Sequence, residues 1–387
     1  MQLYTRFDRL PALLALSQLG QMTVNEAQAA TETQAETQAQ RQPNTPLLVG
    51  VDLGGTQTRA AVVREHEIVA RVSHPTPAAE GPAAVIAVIS KAIHEALELA
   101  EVGLSDIGGI GISAPGPLDP VAGIVYEAPN LRGWENVPLR DEVQRQFNGA
   151  LPVFLGHDAT LAGLAEHLYG AGRGTHDMIY MTVSTGIGGG IIIGNTIVDG
   201  TSGTAGEIGH MYLSMSPDAP RCGIGHVGCL EAFASGTAIA RDANALIASG
   251  GGQAILKAHQ AYLAQHPPQG DQSPAPAVEA APRVSARDVA QAAEEGDPEA
   301  HALFQHAGTA IGFGCTNLIH ALNPEAIVIG GSLINAGPLL FEPILQTVQA
   351  RAFQRPAEMT RIVPAQLGDD GGLIGAAAYV RYRQQRA

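Results

Sequence analysis

Lysine is nearly absent from this chain. Among 387 residues only Lys91 and Lys257 occur, and arginine supplies the rest of a basic total of 22 against 37 acidic residues. The resulting net charge of -15 leaves no basic stripe to follow a phosphate backbone, which excludes nucleic acid as a main partner. Neither lysine follows a glycine, so no Walker loop can form and the P-loop nucleotide class is excluded. The three cysteines, Cys222, Cys229 and Cys315, cannot all pair within one chain; a reducing cytoplasm fits better than a disulfide framework. No apolar run approaches the roughly 20 residues of a membrane span, and no membrane partner is expected. The start of the chain imitates a signal peptide, with Arg6 and Arg9 before LPALLALSQLG and Ala27-Gln28-Ala29 downstream, but Asp8, Ser17 and Gln18 interrupt the pattern.

What is present is apolar and rich in turns: 45% hydrophobic, with 46 glycines and 25 prolines. The length calls for two domains. Residues 1–45 end in TETQAETQAQRQPN, too polar to build a core, and are expected to form a largely disordered extension. From Pro46, LLVGVDLGGTQTRAAVV reads as a hairpin around a Gly-Gly turn. A helix is predicted over 83–102, a buried strand in IGGIGIS, and a helix in VPLRDEVQRQF. LPVFLGHDATLAGLAEHLYGAG is a strand running into a helix, with Asp158 at the junction. MIYMTVSTGIGGGIIIG then repeats the first hairpin's layout about 130 residues later, which implies a duplicated fold. Residues 266–283, HPPQGDQSPAPAVEAAPR, read as a flexible insert. Helices, the strand EAIVIGGSLI and a closing helix in GDDGGLIGAAAYVRYR complete the chain.

Three Gly-rich turns are candidates for phosphate. They are Asp52-Leu53-Gly54-Gly55-Thr56, Ser184-Thr185-Gly186-Ile187-Gly188-Gly189-Gly190 and Gly330-Gly331. Glycines let backbone N–H groups approach an anion, hydroxyls add donors, and a carboxylate such as Asp52 can hold magnesium through water. Any one of them could be a plain tight turn. Two in matching positions of a duplicated unit point to a nucleotide clamped between two lobes. The GxGxxG match at Gly223–Gly228 has no strand before it and is a chance match. The stretch 203–236 packs carboxylates, histidines and two cysteines between glycines and could hold metal, substrate or both.

The blocks DLGGTQTRAAVV, GIGISAPGPLDPVAGIVYEAPNLRGW, STGIGGGIIIG, GEIGHMYL, GCLEAFASG, NPEAIVIGGS and GDDGGLIGAA, in this order, resemble the ROK family of sugar kinases and repressors within the actin-like ATPase superfamily. The resemblance covers about residues 47–380. It implies an α/β protein of two ribonuclease-H-like lobes, 46–163 (with the C-terminal helix 371–387 packing back) and 164–370, with ATP and sugar in the cleft between them. Carried over block by block, it makes Asp158 the general base that takes a proton from the 6-hydroxyl of glucose or a near relative such as mannose or an N-acetylhexosamine. It places Asn130, Glu207, His210 and Glu231 on the sugar. ATP with Mg²⁺ falls to Asp52, Gly54, Gly55, Thr56, Thr185, Gly186, Gly188, Gly330 and Gly331, and a homodimer or tetramer is the expected assembly. Without the family, Asp158 would read as a helix N-cap.

Two positions depart from the family's pattern. His157 stands where an asparagine usually helps to read the sugar, which opens the choice of hexose; His can still donate one hydrogen bond. The family's zinc motif, a histidine and three cysteines, has Ile224 at the middle cysteine, leaving His210, Cys222 and Cys229. Either His226 or a water completes the site, or the zinc is lost and the loop is held by packing around Ile224. The other reading of the whole chain is a sugar-responsive repressor or a silent sugar sensor. Only about 45 residues precede the sugar domain, fewer than a winged helix-turn-helix needs, and Asp52, Thr56, Thr185 and Asp158 are intact. Whether the donor is ATP or polyphosphate is open.

Overall fold

The computed structural model describes residues 45–128, 130–266 and 283–386. The polar extension and the insert expected over 1–45 and 266–283 lie, but for their end residues, outside the described residues. Among the described residues no helix is long and apolar enough to cross a membrane.

Two five-stranded sheets organise the chain from Pro46 onward. The first is built from β1 (Leu47–Leu53), β2 (Gln57–Arg64), β3 (Glu67–Pro75), β4 (Ile107–Ala114) and β8 (Val153–His157), in the order β3-β2-β1-β4-β8. A small side sheet holds β5 (Leu118–Asp119), β6 (Ile124–Glu127) and β7 (Glu135–Val137). The second large sheet uses β9 (Met178–Val183), β10 (Ile187–Ile193), β11 (Thr196–Ile197), β12 (Ala326–Gly330) and β13 (Arg361–Pro364), in the order β11-β10-β9-β12-β13. In both, a hairpin is followed by parallel strands on its first strand's free edge. This shared order is the ribonuclease-H-like arrangement that the family resemblance implies, present twice, the duplication that the repeated hairpin pattern implied. The sequence reading missed β3, whose alternating exposure and polar residues Glu67, Arg71, Ser73 and His74 suit an edge strand.

The helices, in chain order, are α1 (Pro82–Leu99), α2 (Leu139–Gln146), α3 (Asp158–Tyr169), α4 (Leu230–Ala234), α5 (Gly236–Ala248), α6 (Gln253–Gln265), α7 (Ala286–Glu294), α8 (Pro298–Leu322), α9 (Pro338–Arg351), α10 (Gln354–Met359) and α11 (Gly371–Gln384). Val85, Ile86, Ile89, Ile93 and Leu97 of α1 are buried against the first sheet, as their spacing predicts. The other face of that sheet is covered by α11, which belongs to the end of the chain. The fit is close: a Cβ at Gly50 would lie 2.1 Å from the Leu373 carbonyl oxygen, and one at Gly111 would lie 1.8 Å from that of Ala376. Central strands buried on both faces need continuous apolar runs, which β1 and β9 supply. Leu161 and Leu164 of α3, Tyr180 of β9 and Ala376 and Tyr379 of α11 share a further core that joins elements of both sheets.

Candidate active site

The carboxyl ends of the parallel strands β1, β4 and β8 lie side by side, the usual seat of ligands in open α/β sheets. Asp52, near the end of β1, has Arg59 of β2 as its register partner on one side and Ser113 of β4 on the other. Both neighbours bond it: Oδ2 accepts Arg59 Nε at 3.1 Å and Nη2 at 2.5 Å, and Oδ1 accepts Ser113 Oγ at 3.3 Å. Burial lifts the Asp52 carboxyl above its ordinary range; the Arg59 guanidinium pulls it back, and the charge of Asp158 nearby pushes it up again.

Asp158 is the first residue of α3, and His157 is the N-cap, so the junction falls where the sequence put it. The N-cap alternative for Asp158 is off by one residue. Its Oδ1 accepts the Ala159 N–H at 2.6 Å, and the positive end of the helix dipole favours the carboxylate there. The Asp158 side chain is 50% exposed, open to a ligand. His157 stands between two carboxylates, with Nδ1 at 3.4 Å from Asp158 Oδ1 and Nε2 at 3.9 Å from Glu207 Oε1. Glu207 precedes a short 3-10 turn, Ile208–His210. Asn130 is exposed and fills the space that a side chain at Gly55 would need. Thus His157, Asp158 and Glu207 form one cluster, and Asn130 lies against the turn of the first hairpin.

Asp52, Arg59, Ser113, Asp158, Thr182 and Asp369 line a cleft of about 430 Å³, closed on its other wall by Gly331, Ser332 and Asn335. Ser332 and Asn335 also line a neighbouring, mainly apolar cavity of about 370 Å³ with Arg287, Ala290, Gln291 and Leu333. Three carboxylates and one guanidinium face the cleft among the described residues. Carboxylate oxygens are the hard donors that magnesium takes, directly or through water.

The Gly-rich turns have mixed duties. Gly54 and Thr76 pin the first turn, through Gly54 N–H to the Gln57 carbonyl at 2.9 Å and Thr76 Oγ1 to the Gly54 carbonyl at 2.8 Å. Thr56 accepts the Thr76 N–H, and the Thr185 carbonyl accepts Thr237 Oγ1 at 2.8 Å. A Cβ at Gly186 would lie 2.5 Å from Glu231 Oε2, and the same oxygen accepts the Ile187 N–H at 3.0 Å. Glu231 therefore braces the second turn. Gly188 and Gly330 answer packing demands, against Ala159 and Thr182 and against the Tyr180 hydroxyl, whereas Gly331, at φ 87°, lines the cleft.

In the cysteine loop, ligand atoms of His210, Cys222 and His226 lie within 4.8 Å of one another. Cys222 Sγ is 4.0 Å from His210 Nδ1. Cys229 is outside this group and fully buried; burial, against the pull of the Ala232 N–H and together with the adjacent Cys222 thiol, pushes it up to about 11. Ile224 is 57% exposed, so the loop is not held by packing around it. Cys315 is buried inside α8, as its apolar surroundings indicated.

Sequence reasoning missed Arg59, Ser113 and Asp369. Arg59 was accessible, because a hairpin turning at 54–56 sets residue 59 opposite residue 52. Asp369 lies in the GDDGGLIGAA block, which carried no assigned role.

The ROK family model matches residues 48–383. A glucokinase of Halalkalibacterium halodurans is 36% identical over 338 residues, 87% of this chain and 95% of that protein. A xylose repressor of Caldicellulosiruptor bescii is 32% identical over 272 residues, 70% of this chain and 62% of that protein. A ROK family glucokinase of Streptomyces griseus, solved with glucose and AMPPNP, is 32% identical with a TM-score of 0.70, covering 87% of this chain and 99% of that one. With the doubled sheet order and the cleft between its strand ends, this chain belongs to the ROK family.

Proposed function

We propose that this protein is an ATP-dependent hexose kinase that phosphorylates the 6-hydroxyl of glucose or a closely related hexose. One observation carries the reading: the half-exposed carboxylate of Asp158 opens into the same cleft as Asp52, Gly331 and Ser332. Asp158 takes the proton of the sugar hydroxyl while that oxygen attacks the γ-phosphorus; the bond to the β,γ-bridging oxygen breaks and ADP leaves. Asp52 is the residue that would hold magnesium, through water, with Asp369 on the same cleft, and the ion would neutralise phosphate charge when bound, while Asp158 stays free to take the proton. Asn130, His157 and Glu207 hold the sugar hydroxyls, with His210 and Glu231 as the wall behind them. Because His157 lies between Asp158 and Glu207, it takes the place from which a sugar hydroxyl can be read.

The apolar cavity beside Ser332 and Asn335 suits a nucleotide base and so favours ATP over polyphosphate as donor. The lobes 46–163, with 371–387, and 164–370 close on the ligands. A cytoplasmic setting and a homodimer or tetramer go with this reading.

A structural zinc ion in the loop is part of the proposal. Two imidazoles and a thiol within one ion's reach are a donor set that zinc takes, with a water to complete the tetrahedron.

A coupled ADP-release assay over a panel of hexoses and N-acetylhexosamines tests the activity. Asp158→Asn is expected to lose about 10³-fold or more in kcat while sugar binding by calorimetry largely survives. An Asn variant as active as wild type removes the assigned base, and no turnover of the wild type with any sugar returns the protein to the sensor class.

A further inference from the structure

We propose that Arg59 is an exchangeable partner: it occupies Asp52 when the cleft is empty and moves to the phosphate chain when a nucleotide enters, leaving Asp52 free to hold a divalent cation. The inference rests on the kinase reading and adds to it a residue and a coupling.

Four observations support it. Both Asp52 oxygens are engaged within the protein, Oδ2 by two Arg59 nitrogens and Oδ1 by a longer bond from Ser113, so a cation seeking Oδ2 competes with the guanidinium for it. Arg59 is the one cationic side chain lining the cleft among the described residues, against Asp52, Asp158 and Asp369. It is therefore the group to which phosphate oxygens are drawn by charge. The pair is not locked away, because the Arg59 and Asp52 side chains are 25% and 18% exposed. Finally, the β1–β2 register places the two residues directly opposite each other, so the exchange needs only side-chain rotation and no movement of the sheet.

The chemistry favours the exchange. A guanidinium gripping a single carboxylate oxygen does not use its planar fork in full, whereas phosphate oxygens match that fork. Leaving a largely enclosed carboxylate with no positive partner is costly, so Arg59 departs only as another cation arrives. Metal and nucleotide are thereby coupled: the guanidinium competes with the metal for Asp52 and assists it once the phosphates take the guanidinium away. Such coupling is reciprocal in binding.

The test uses Mn²⁺ as probe, read by electron paramagnetic resonance on the full chain without sugar or nucleotide. Arg59→Gln is expected to bind Mn²⁺ about tenfold more tightly than wild type, and the gain is expected to vanish in Arg59→Gln combined with Asp52→Asn. In the ADP-release assay, Arg59→Gln should reach half-saturation at lower Mg²⁺ while kcat falls about 10²-fold. A guanidinium that merely staples the hairpin would change thermal stability and leave metal affinity alone. Equal Mn²⁺ affinity in wild type and a folded Arg59→Gln overturns the exchange. Should that variant not fold, Arg59→Lys, which keeps the charge but not the two-nitrogen grip, must shift Mn²⁺ affinity in the same direction, and an unchanged affinity overturns the proposal. Metal binding is read without turnover, so failure of the kinase reading shows separately, as a wild type that releases no ADP.

Discussion

Glu166 Oε1 accepts the backbone N–H groups of both Gln366 and Leu367, at 2.9 and 2.8 Å, although 201 residues separate Glu166 from Leu367. Its other oxygen accepts the Ala171 N–H at 2.7 Å. A buried carboxylate on α3 is thus the acceptor for three main-chain donors, and it ties that helix to the segment leading from β13 to α11. Both segments run beside the cleft, where Asp158 opens one and Asp369 lies on the other. Even Gly170 conforms to the clamp, since a Cβ there would lie 2.0 Å from Glu166 Oε2.

Removing that carboxylate is expected to be costly. Glu166→Ala takes the acceptor from three part-buried main-chain N–H groups and should destabilise the protein by about 2–3 kcal/mol in urea unfolding. Glu166→Gln keeps an acceptor for Gln366 and Leu367 but turns an NH₂ toward Ala171, or the reverse, and should lose about half as much. An alanine variant within about 1 kcal/mol of wild type would show that the clamp carries little stability.

The loop at His210, Cys222 and His226 gives a metal prediction. Purified protein should contain about one zinc per chain by mass spectrometry. His226→Ala and Cys222→Ser should each lower that ratio and expose the loop to protease, while Ile224→Ala, at an exposed position, should change neither. A zinc-to-protein ratio near zero in the wild type would end the metal assignment.

Asp288 sets a pH dependence. Burial alone would raise its carboxyl, but the Ser285 N–H, Arg287, the Ser285 hydroxyl and His259 together hold it below the ordinary value of 3.8. A depressed folded value means stability that is present above 3.8 and lost as pH falls below it toward the folded value. The stability gap between wild type and Asp288→Asn should therefore be wide at about pH 6 and shrink toward about pH 3. A gap that stays constant across this range would show that the charge of Asp288 does not contribute.

Much of this protein was legible in one dimension because its signals are short-range. Period-two and period-3.6 patterns with glycine turns located β1, β2, β9, β10, α1 and α3, and their repetition announced two sheets of one design. The strand-to-helix junction put Asp158 within a residue of where it stands. The family blocks supplied the remaining roles as expectations.

What the residues by themselves determined is the inventory: which strands, which turns, and a carboxylate at a helix start. Only the tertiary structure decided who meets whom. It set Glu231 against Ile187, 44 residues away, and gave Gly188 and Gly330 to packing; it also brought His226 to His210 and Cys222, with Cys229 behind them. Arg59 is the intermediate case, since the hairpin's register dictates its place while its meaning depends on the cleft that the second sheet closes. The physical reason is range. Backbone propensity acts over a turn or two, whereas a hydrogen bond between distant segments exists only after burial has brought them together, and no local pattern in the sequence records it.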